Sequence, residues 1–413
     1  MCEVYRGAEI NIALAAAADG SESALSNRDT SLVRAVSTRA LWHDEGATEP
    51  DWIVFSLSTG VEDLTESQLM KRAWVVQELQ LATRTVVLGA DQIYHICRPV
   101  MSCETFPGGM PGHMHQFLWF RKLAVVYRYN AWDDLVQTFS KCGITKASDW
   151  TMAIAGLARW YAKQLDDEYV AGLWRSLLPC CLLWAVQDDA VTKRAAPYRA
   201  PTWSWLSIEG PVCCTSQAEG EQDLCDIISI RVDLIDSRNP YGQIRAGDII
   251  LRGYVTPVTL WGKREFAMIG TTDCNTGKIV ALTPKRPRIG SRHGSCYLSR
   301  DVQTSEHGSD FDDLQLKPDG SIDSLLTIQV GPDVDKVDQL EECSITRYVR
   351  AYALPVSQCS LSERGFLCVD GLLLVETQGR SGSFSRIGWF NICAYSDAVD
   401  RLTATERCSV RIV

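Results

Sequence analysis

Trp74 and Glu78 stand four residues apart in the stretch RAWVVQELQLATRTVVLG, residues 72–89. On a helix an i, i+4 pair shares one face, so an indole ring and a carboxylate would lie side by side. Glu78 can be an ordinary helix-face carboxylate paired with Arg72, Arg84 or water, with Trp74 in the core. It can equally be a reactive group. A carboxylate can steady an oxocarbenium-like centre while a bond to it breaks, as in glycoside hydrolysis. Trp203 and Trp205 make a second pair, alternating on an extended run after Pro201 so that both rings fall on one side. Such a pair is either a stacking shelf for a base or sugar, or a plug at the junction between a helical and a β-rich part.

Other groups carry less. His113 and His115 sit in a loop with only Cys97 and Cys103 near in sequence, and a metal site needs further ligands, so no metal is expected. The run Asp166-Asp167-Glu168 reads as a charge cluster at a helix N-terminus rather than a magnesium site. KRPR at 285–288 reads as a solvated loop. The sequence contains no G-x-G-x-x-G, no P-loop, no G-x-S-x-G elbow and no recognisable Cys/His nucleophile pattern.

The elements that must hold these residues follow from patterning. Ile10 and Ile12 alternate in a short apolar run that ends in the turn Asp19-Gly20-Ser21, which predicts a buried strand. Residues 21–60 read as a long loop with a short strand at DWIVFSL. The helix bearing Glu78 has an apolar face of Trp74, Val75, Val76, Leu79, Leu81 and Ala82, with Thr65 or Ser67 as its cap. RTVVLG and QIYHIC then form a hairpin, and 103–117 a Gly/Pro/Met loop. Residues 118–200 read as mainly helical. They hold two amphipathic segments, the second capped by Ser148 or Asp149, and a third apolar helix over AGLWRSLLPCCLLWAV that Pro179 breaks or kinks. From Ile227 the chain turns to short β-branched runs at sandwich or barrel spacing, with an acidic surface insertion near 299–345.

At 413 residues the chain is long enough for two or three domains. A net charge of −10 excludes broad, nonspecific nucleic-acid binding. The 16 cysteines are scattered, with adjacent pairs at 180–181 and 213–214 and no C-x-x-C, which predicts free buried thiols in a reducing compartment. Glu3 and Glu9 spoil residues 1–23 as a signal peptide, and no apolar run is long enough to cross a membrane. A soluble, cytoplasmic protein is expected.

Four stretches, in this order, add a family resemblance: VYRGAEINIALAAAADGS, RAWVVQELQLATRTVVLGADQIYHIC, DEYVAGLWRSLLPCCLLW and YRAPTWSWLSIEGPV. Together they resemble the fungal heterokaryon-incompatibility (HET) domain proteins, from residue 4 to about residue 212. A weaker likeness continues through YGQIRAGDIILRGYV and GLLLVETQGRSGSFSRIGWF, similar to the β-rich tail common in that family. HET domains usually open with segments like LSYCWG and LWIDSLCIIQD. Neither is present, so an N-terminally shortened member is expected.

The resemblance implies allorecognition, in which fusion of unlike hyphae triggers growth arrest and cell death. It also implies a layout similar to the TIR fold, a flavodoxin-like α/β domain in which some members hydrolyse NAD. Many TIR domains carry a W-x-x-x-E helix like Trp74–Glu78, which would make Glu78 the carboxylate acting as nicotinamide leaves. Some HET-like genes lie in secondary-metabolite gene clusters, so an accessory or regulatory role there is a further alternative. A shortened parallel sheet would leave a hydrophobic edge to be paired by another chain or covered by residues 118–200.

The expectation is therefore a mixed α+β chain: a partial TIR-like α/β segment at 1–117, a helical region at 118–212 and an antiparallel β-rich domain at 213–413. Its function would be signalling through a protein partner or self-association. It would hold no cofactor, with NAD a substrate only under the enzymatic alternative. Glu78 is the candidate catalytic residue, with Trp74, Trp203 and Trp205 as candidate substrate or partner contacts.

Overall fold

A computed structural model describes residues 2–17, 19–23, 28, 29, 31, 33, 36–38, 52–54, 63–97, 100–110, 128–186, 192–214, 221–263, 266–272, 279–281, 329–332, 348–362, 366–377, 382–395, 400 and 402–413. His113, His115, the KRPR run and all of the acidic stretch except residues 329–332 lie outside the described residues. The chain divides into two compact units, Met1–Ser216 with Ile230–Asp248, and Gln217–Ser229 with Ile249–Val413.

The first unit opens with helix α1 (Cys2–Gly7) and strand β1 (Asn11–Leu14). The expected turn after it is an Asx turn, in which Asp19 accepts from the Ser21 backbone N–H at 2.8 Å. Strands β2 (Val36–Thr38) and β3 (Trp52–Val54) pair antiparallel. There follow α2 (Asp63–Glu66), α3 (Ala73–Leu81), β4 (Arg84–Leu88), β5 (Ile93–Cys97) and β6 (Met101–Cys103). The sheet order is β1-β4-β5-β6. β1 and β4 run parallel, and the other pairings are antiparallel. Side-chain alternation sends Ala13, Val87 and Tyr94 to one face, where they form a core with Leu64, Val75 and Leu79.

The cap of α3 differs from expectation. Arg72 occupies the N-cap position and makes no side-chain cap bond. The helix instead borrows backbone from far along the chain: Ala73 N–H donates to Gly143 O at 3.0 Å, and Gly143 N–H donates to Lys71 O at 2.7 Å. Ser67 closes a separate turn, its hydroxyl donating to Leu64 O at 2.8 Å. A tertiary bridge satisfies the orphan donor that a local side chain would otherwise cap.

The two amphipathic helices form as expected, α4 over Arg128–Lys141 and α5 over Trp150–Leu165. Asp149 sits at the N-cap of α5 but makes no side-chain cap bond. The acidic run lies at the opposite end from the one expected. Asp166 is the left-handed C-cap of α5 at φ 53°, and the Asp167 carboxylate accepts from the Tyr129 hydroxyl and the Ser176 backbone N–H, both at 3.3 Å. The expected third helix does not form. Strands β7 (Tyr169–Val170) and β8 (Leu173–Trp174) make a hairpin there, followed by two 3-10 turns and β9 (Ala185–Val186). Ala171 at φ 49° and Gly172 at φ 96° give the tight two-residue turn with positive φ at both centres. Pro179 offers no helix donor further on. Strand β10 (Lys193–Arg194) pairs with β11 (Ile208–Glu209), and β12 (Val212–Cys213) with β9.

The β-rich part contains β13 (Gln222–Asp223), β14 (Asp226–Leu234), β15 (Ile244–Tyr254), β16 (Thr256–Lys263), β17 (Phe266–Thr272) and β18 (Ile279–Ala281). It continues with β19 (Gln329–Pro332), β20 (Tyr348–Ser362), β21 (Phe366–Glu376), β22 (Ser383–Tyr395) and β23 (Arg407–Ile412). These make one sheet, ordered β14-β15-β23-β22-β21-β20-β16-β17-β18, with β13 on β20 and β19 on β22. The β-rich region expected from sandwich or barrel spacing is thus one hydrogen-bonded sheet of eleven strands, in which chain neighbours β20, β21 and β22 pair antiparallel. Val258, Ala353, Val369, Leu373, Phe390 and Ile392 anchor its core. The cysteines also depart from expectation, since Cys368 is disulfide-bonded. The register that aligns β20, β21 and β22 brings cysteines opposite one another, which spacing along the chain could not reveal.

Candidate functional site

Helix α3 buries most of itself. Ala73, Val75, Val76, Gln77, Leu79 and Leu81 are buried, while Trp74 and Glu78 are each half-buried on a shared face. The i, i+4 spacing therefore does bring ring and carboxylate to one side of a helix. The partner of Glu78 is Tyr5 on α1. The Tyr5 hydroxyl donates to the Glu78 carboxylate, and its pKa is pushed up to about 12 by burial first, then by that hydrogen bond and the Glu78 charge, with Arg72 opposing. Arg84 pairs instead with Glu9, at 3.6 Å and largely exposed.

What holds α1 against α3 is an absent side chain. Gly156 lies in the buried face of α5, and a Cβ there would fall onto Cys2 Sγ and within 2.6 Å of Gln77 Oε1. Gln77 is 1% exposed, and its Oε1 has no hydrogen-bond partner among the described residues. The glycine thus admits both the N-terminal helix that delivers Tyr5 and the glutamine one residue before Glu78.

Trp203 and Trp205 lie elsewhere, packed inside the first unit at 0% and 1% exposure. The Trp205 indole donates to Gly172 O at 2.8 Å, and the Trp184 indole donates to Trp203 O at 2.9 Å. A stacking shelf needs an open ring face, and at these exposures neither ring has one. Arg199 holds the same segment from below. Its guanidinium donates to the carbonyls of Leu206 and Ile208 and stacks 4.7 Å over the Trp150 ring. Burial lowers its pKa to about 10.

A third cluster was not foreseen. Asp133 on α4 accepts a hydrogen bond from the Cys214 thiol, and burial raises its pKa to about 7. Cys181 is close enough to feel the Asp133 charge, and burial pushes the Cys181 and Cys214 thiols well up. The two adjacent cysteine pairs were visible as pairs, but only folding brings them to one carboxylate. Held as neutral thiols, they are poor nucleophiles and poor metal ligands. Among the described residues no group of three or more His, Cys, Asp or Glu side chains could hold a metal ion. A cavity of about 370 Å³ opens between Glu168–Ala171, Arg175 and Leu206 on one side and Ile230–Ile244 on the other, and Trp74 and Glu78 are not among its lining residues.

The other face of the four-stranded sheet is open. Ile12 and Leu14 on the edge strand β1, and Ile10 just before it, are 62%, 44% and 49% exposed at alternate positions. Ile12 stands opposite Val86 and Leu14 opposite Leu88, which in turn faces Ile93. These three neighbours are half-buried and share that face, while Val86 is flanked on β5 by the exposed His95. Among the described residues no strand pairs with the outer edge of β1. No helix of the described residues is long and apolar enough to cross a membrane.

Comparison with known proteins adds one assignment. Residues 1–78 match the family described as heterokaryon incompatibility protein (HET), a match that ends on Glu78 itself. No curated protein and no solved structure matches the chain.

Proposed function

We propose, from the heterokaryon-incompatibility segment at residues 1–78 as premise, that this chain is a signalling and interaction protein of incompatibility type, acting by protein association in allorecognition and cell death. The observation that carries this reading is the open apolar face of the four-stranded sheet. An edge strand with an exposed apolar row is a template for pairing with another chain, and a contiguous apolar patch on a soluble unit marks an interaction site. The parallel pairing of β1 with β4, across a connection that holds the β2–β3 pair, α2 and α3, supports a TIR-like layout for this segment. Expression in fungal cells tests the reading, with growth arrest as the readout. Ile12→Asp combined with Leu14→Asp is expected to abolish the arrest while circular dichroism stays native. Arrest of unchanged strength in a folded double variant removes the sheet face as the effector surface, and no arrest with the unaltered chain in any host strain removes the reading itself.

A second reading has one observation in its favour. Trp74 and Glu78 keep a shared half-open face on a mostly buried helix, as a reactive carboxylate requires. Glu78 would then steady the ribosyl centre as nicotinamide leaves NAD. Purified chain incubated with NAD should release nicotinamide, and Glu78→Gln should stop it. Absence of turnover at high protein concentration removes this alternative.

A further inference from the structure

We propose that Cys359 and Cys368 form a thiol–disulfide exchange site in the middle of the eleven-stranded sheet. Cys359 on β20 stands directly opposite Cys368 on β21, and Cys368 stands directly opposite Cys393 on β22. Three cysteines therefore occupy one row across three consecutive antiparallel strands. Directly opposed residues of an antiparallel pair have Cα atoms about 4.5–5.5 Å apart and share a face of the sheet. That separation lies inside the roughly 4.4–6.8 Å that a disulfide accepts. Cys368 is disulfide-bonded and 3% exposed, whereas Cys359 is a half-buried thiol. The register shifts of this strand pair fall at Pro355/Ser357 and Ser360/Ser362, on either side of Cys359, so the row itself is in register.

A disulfide with a thiol opposite one of its sulfurs has a second pairing available without backbone movement. The Cys359 thiolate attacks Cys368 Sγ, the bond from Cys368 to its present partner breaks, and a Cys359–Cys368 bond forms. The departing sulfur leaves as a thiolate and takes up the proton that Cys359 lost. One S–S bond is broken and one made, so no external oxidant or reductant is consumed. Burial of Cys368 keeps bulky thiols from competing for the same sulfur, which favours the neighbouring strand's own thiol.

The test is peptide mapping of the full-length protein under non-reducing conditions. The protein is equilibrated in graded mixtures of reduced and oxidised glutathione and trapped with an alkylating agent in acid. Two linkages to Cys368 are expected, one of them to Cys359, with their ratio holding steady over mixtures in which both persist. Cys359→Ser should lose the Cys359–Cys368 peptide and leave the other linkage in place. Cys393→Ser identifies the alternative partner: it should drive all linkage of Cys368 onto Cys359. A single linkage in the unaltered protein at every ratio, with Cys359 fully alkylated, overturns the proposal. So does complete alkylation of Cys368 throughout. Native circular dichroism of the serine variants keeps misfolding from imitating either result.

Discussion

Replacing Gly156 by alanine tests how α1 is held over Glu78. On an exposed helix the change would stabilise by about 1 kcal/mol, because glycine is the poorer helix former. At this position the added methyl meets Cys2 Sγ and Gln77 Oε1, the latter at 2.6 Å. Overpacking of this kind costs roughly 1–3 kcal/mol. The cheapest escape is for α1 to move, since none of its residues is buried. That movement forfeits the Tyr5–Glu78 hydrogen bond, a neutral-to-charged bond worth about 1 kcal/mol at a half-open site. Gln77 has no such escape, at 1% exposure. The opposing terms leave a net loss of about 1–2 kcal/mol. Urea unfolding followed by tryptophan fluorescence reports this loss from the first unit, because of the 13 tryptophans only Trp261 and Trp389 lie outside Met1–Ser216. Cys2→Ala in the same background should restore part of it, with a coupling of about 0.5 kcal/mol or more. If Gly156→Ala matches or exceeds the original stability, or Cys2→Ala restores nothing, then α1 does not rest against α5 through this glycine.

Asp133 predicts a pH dependence. Its folded pKa of about 7 lies above the ordinary 3.8, so the folded state holds the proton more tightly than the unfolded state. Stability should fall as pH rises from about 4 to about 7, by up to about 1.4 kcal/mol per unit, and Asp133→Asn should flatten that slope in urea titrations across the range. Gly172→Ala should destabilise by about 2 kcal/mol or more, since φ is 96° and the new methyl would lie 2.7 Å from Trp205 Nε1; a shift of the urea midpoint measures it. Tyr5→Phe should cost no more than about 1 kcal/mol at this half-open site. It should also remove one tyrosine that resists ionisation in a spectrophotometric titration between pH 10 and 12.

Local pattern made several elements legible. The alternation of Ile10 and Ile12 located β1 but not its burial, since both isoleucines are exposed at the sheet edge; RTVVLG and QIYHIC located β4 and β5, and the 3–4 spacing of apolar residues located α4 and α5. The segment 171–186 misled because its leucines and tryptophans satisfy a helical period equally well; a two-residue turn of positive φ at Ala171-Gly172 decided it. The cap of α3 was illegible because its acceptor is Gly143, some seventy positions on. Trp74 and Glu78 were placed on one face correctly, but the hydroxyl that engages Glu78 belongs to Tyr5, and no spacing rule connects the two. Trp203 and Trp205 looked like an alternating pair on an extended run, yet the segment turns, with Trp205 opening a 3-10 turn over Trp205–Ser207, and packing buries both rings. Convergence of Cys181 and Cys214 on Asp133 likewise depends on packing alone.

Strands β14 and β15 each begin in one compact unit and end in the other, so residues 230–248 belong with the first unit although they lie between pieces of the second. No single cut of the chain can therefore separate the two units cleanly. A truncation at residue 216 removes the segment 230–248 from the unit it belongs to, and one at residue 249 carries residues 217–229 away from theirs. Dissection of activity into halves thus requires reconnection of separated pieces. By the same logic, an exchange of gene segments at either of these boundaries keeps one unit whole and breaks the other, so the two units cannot be traded as independent halves.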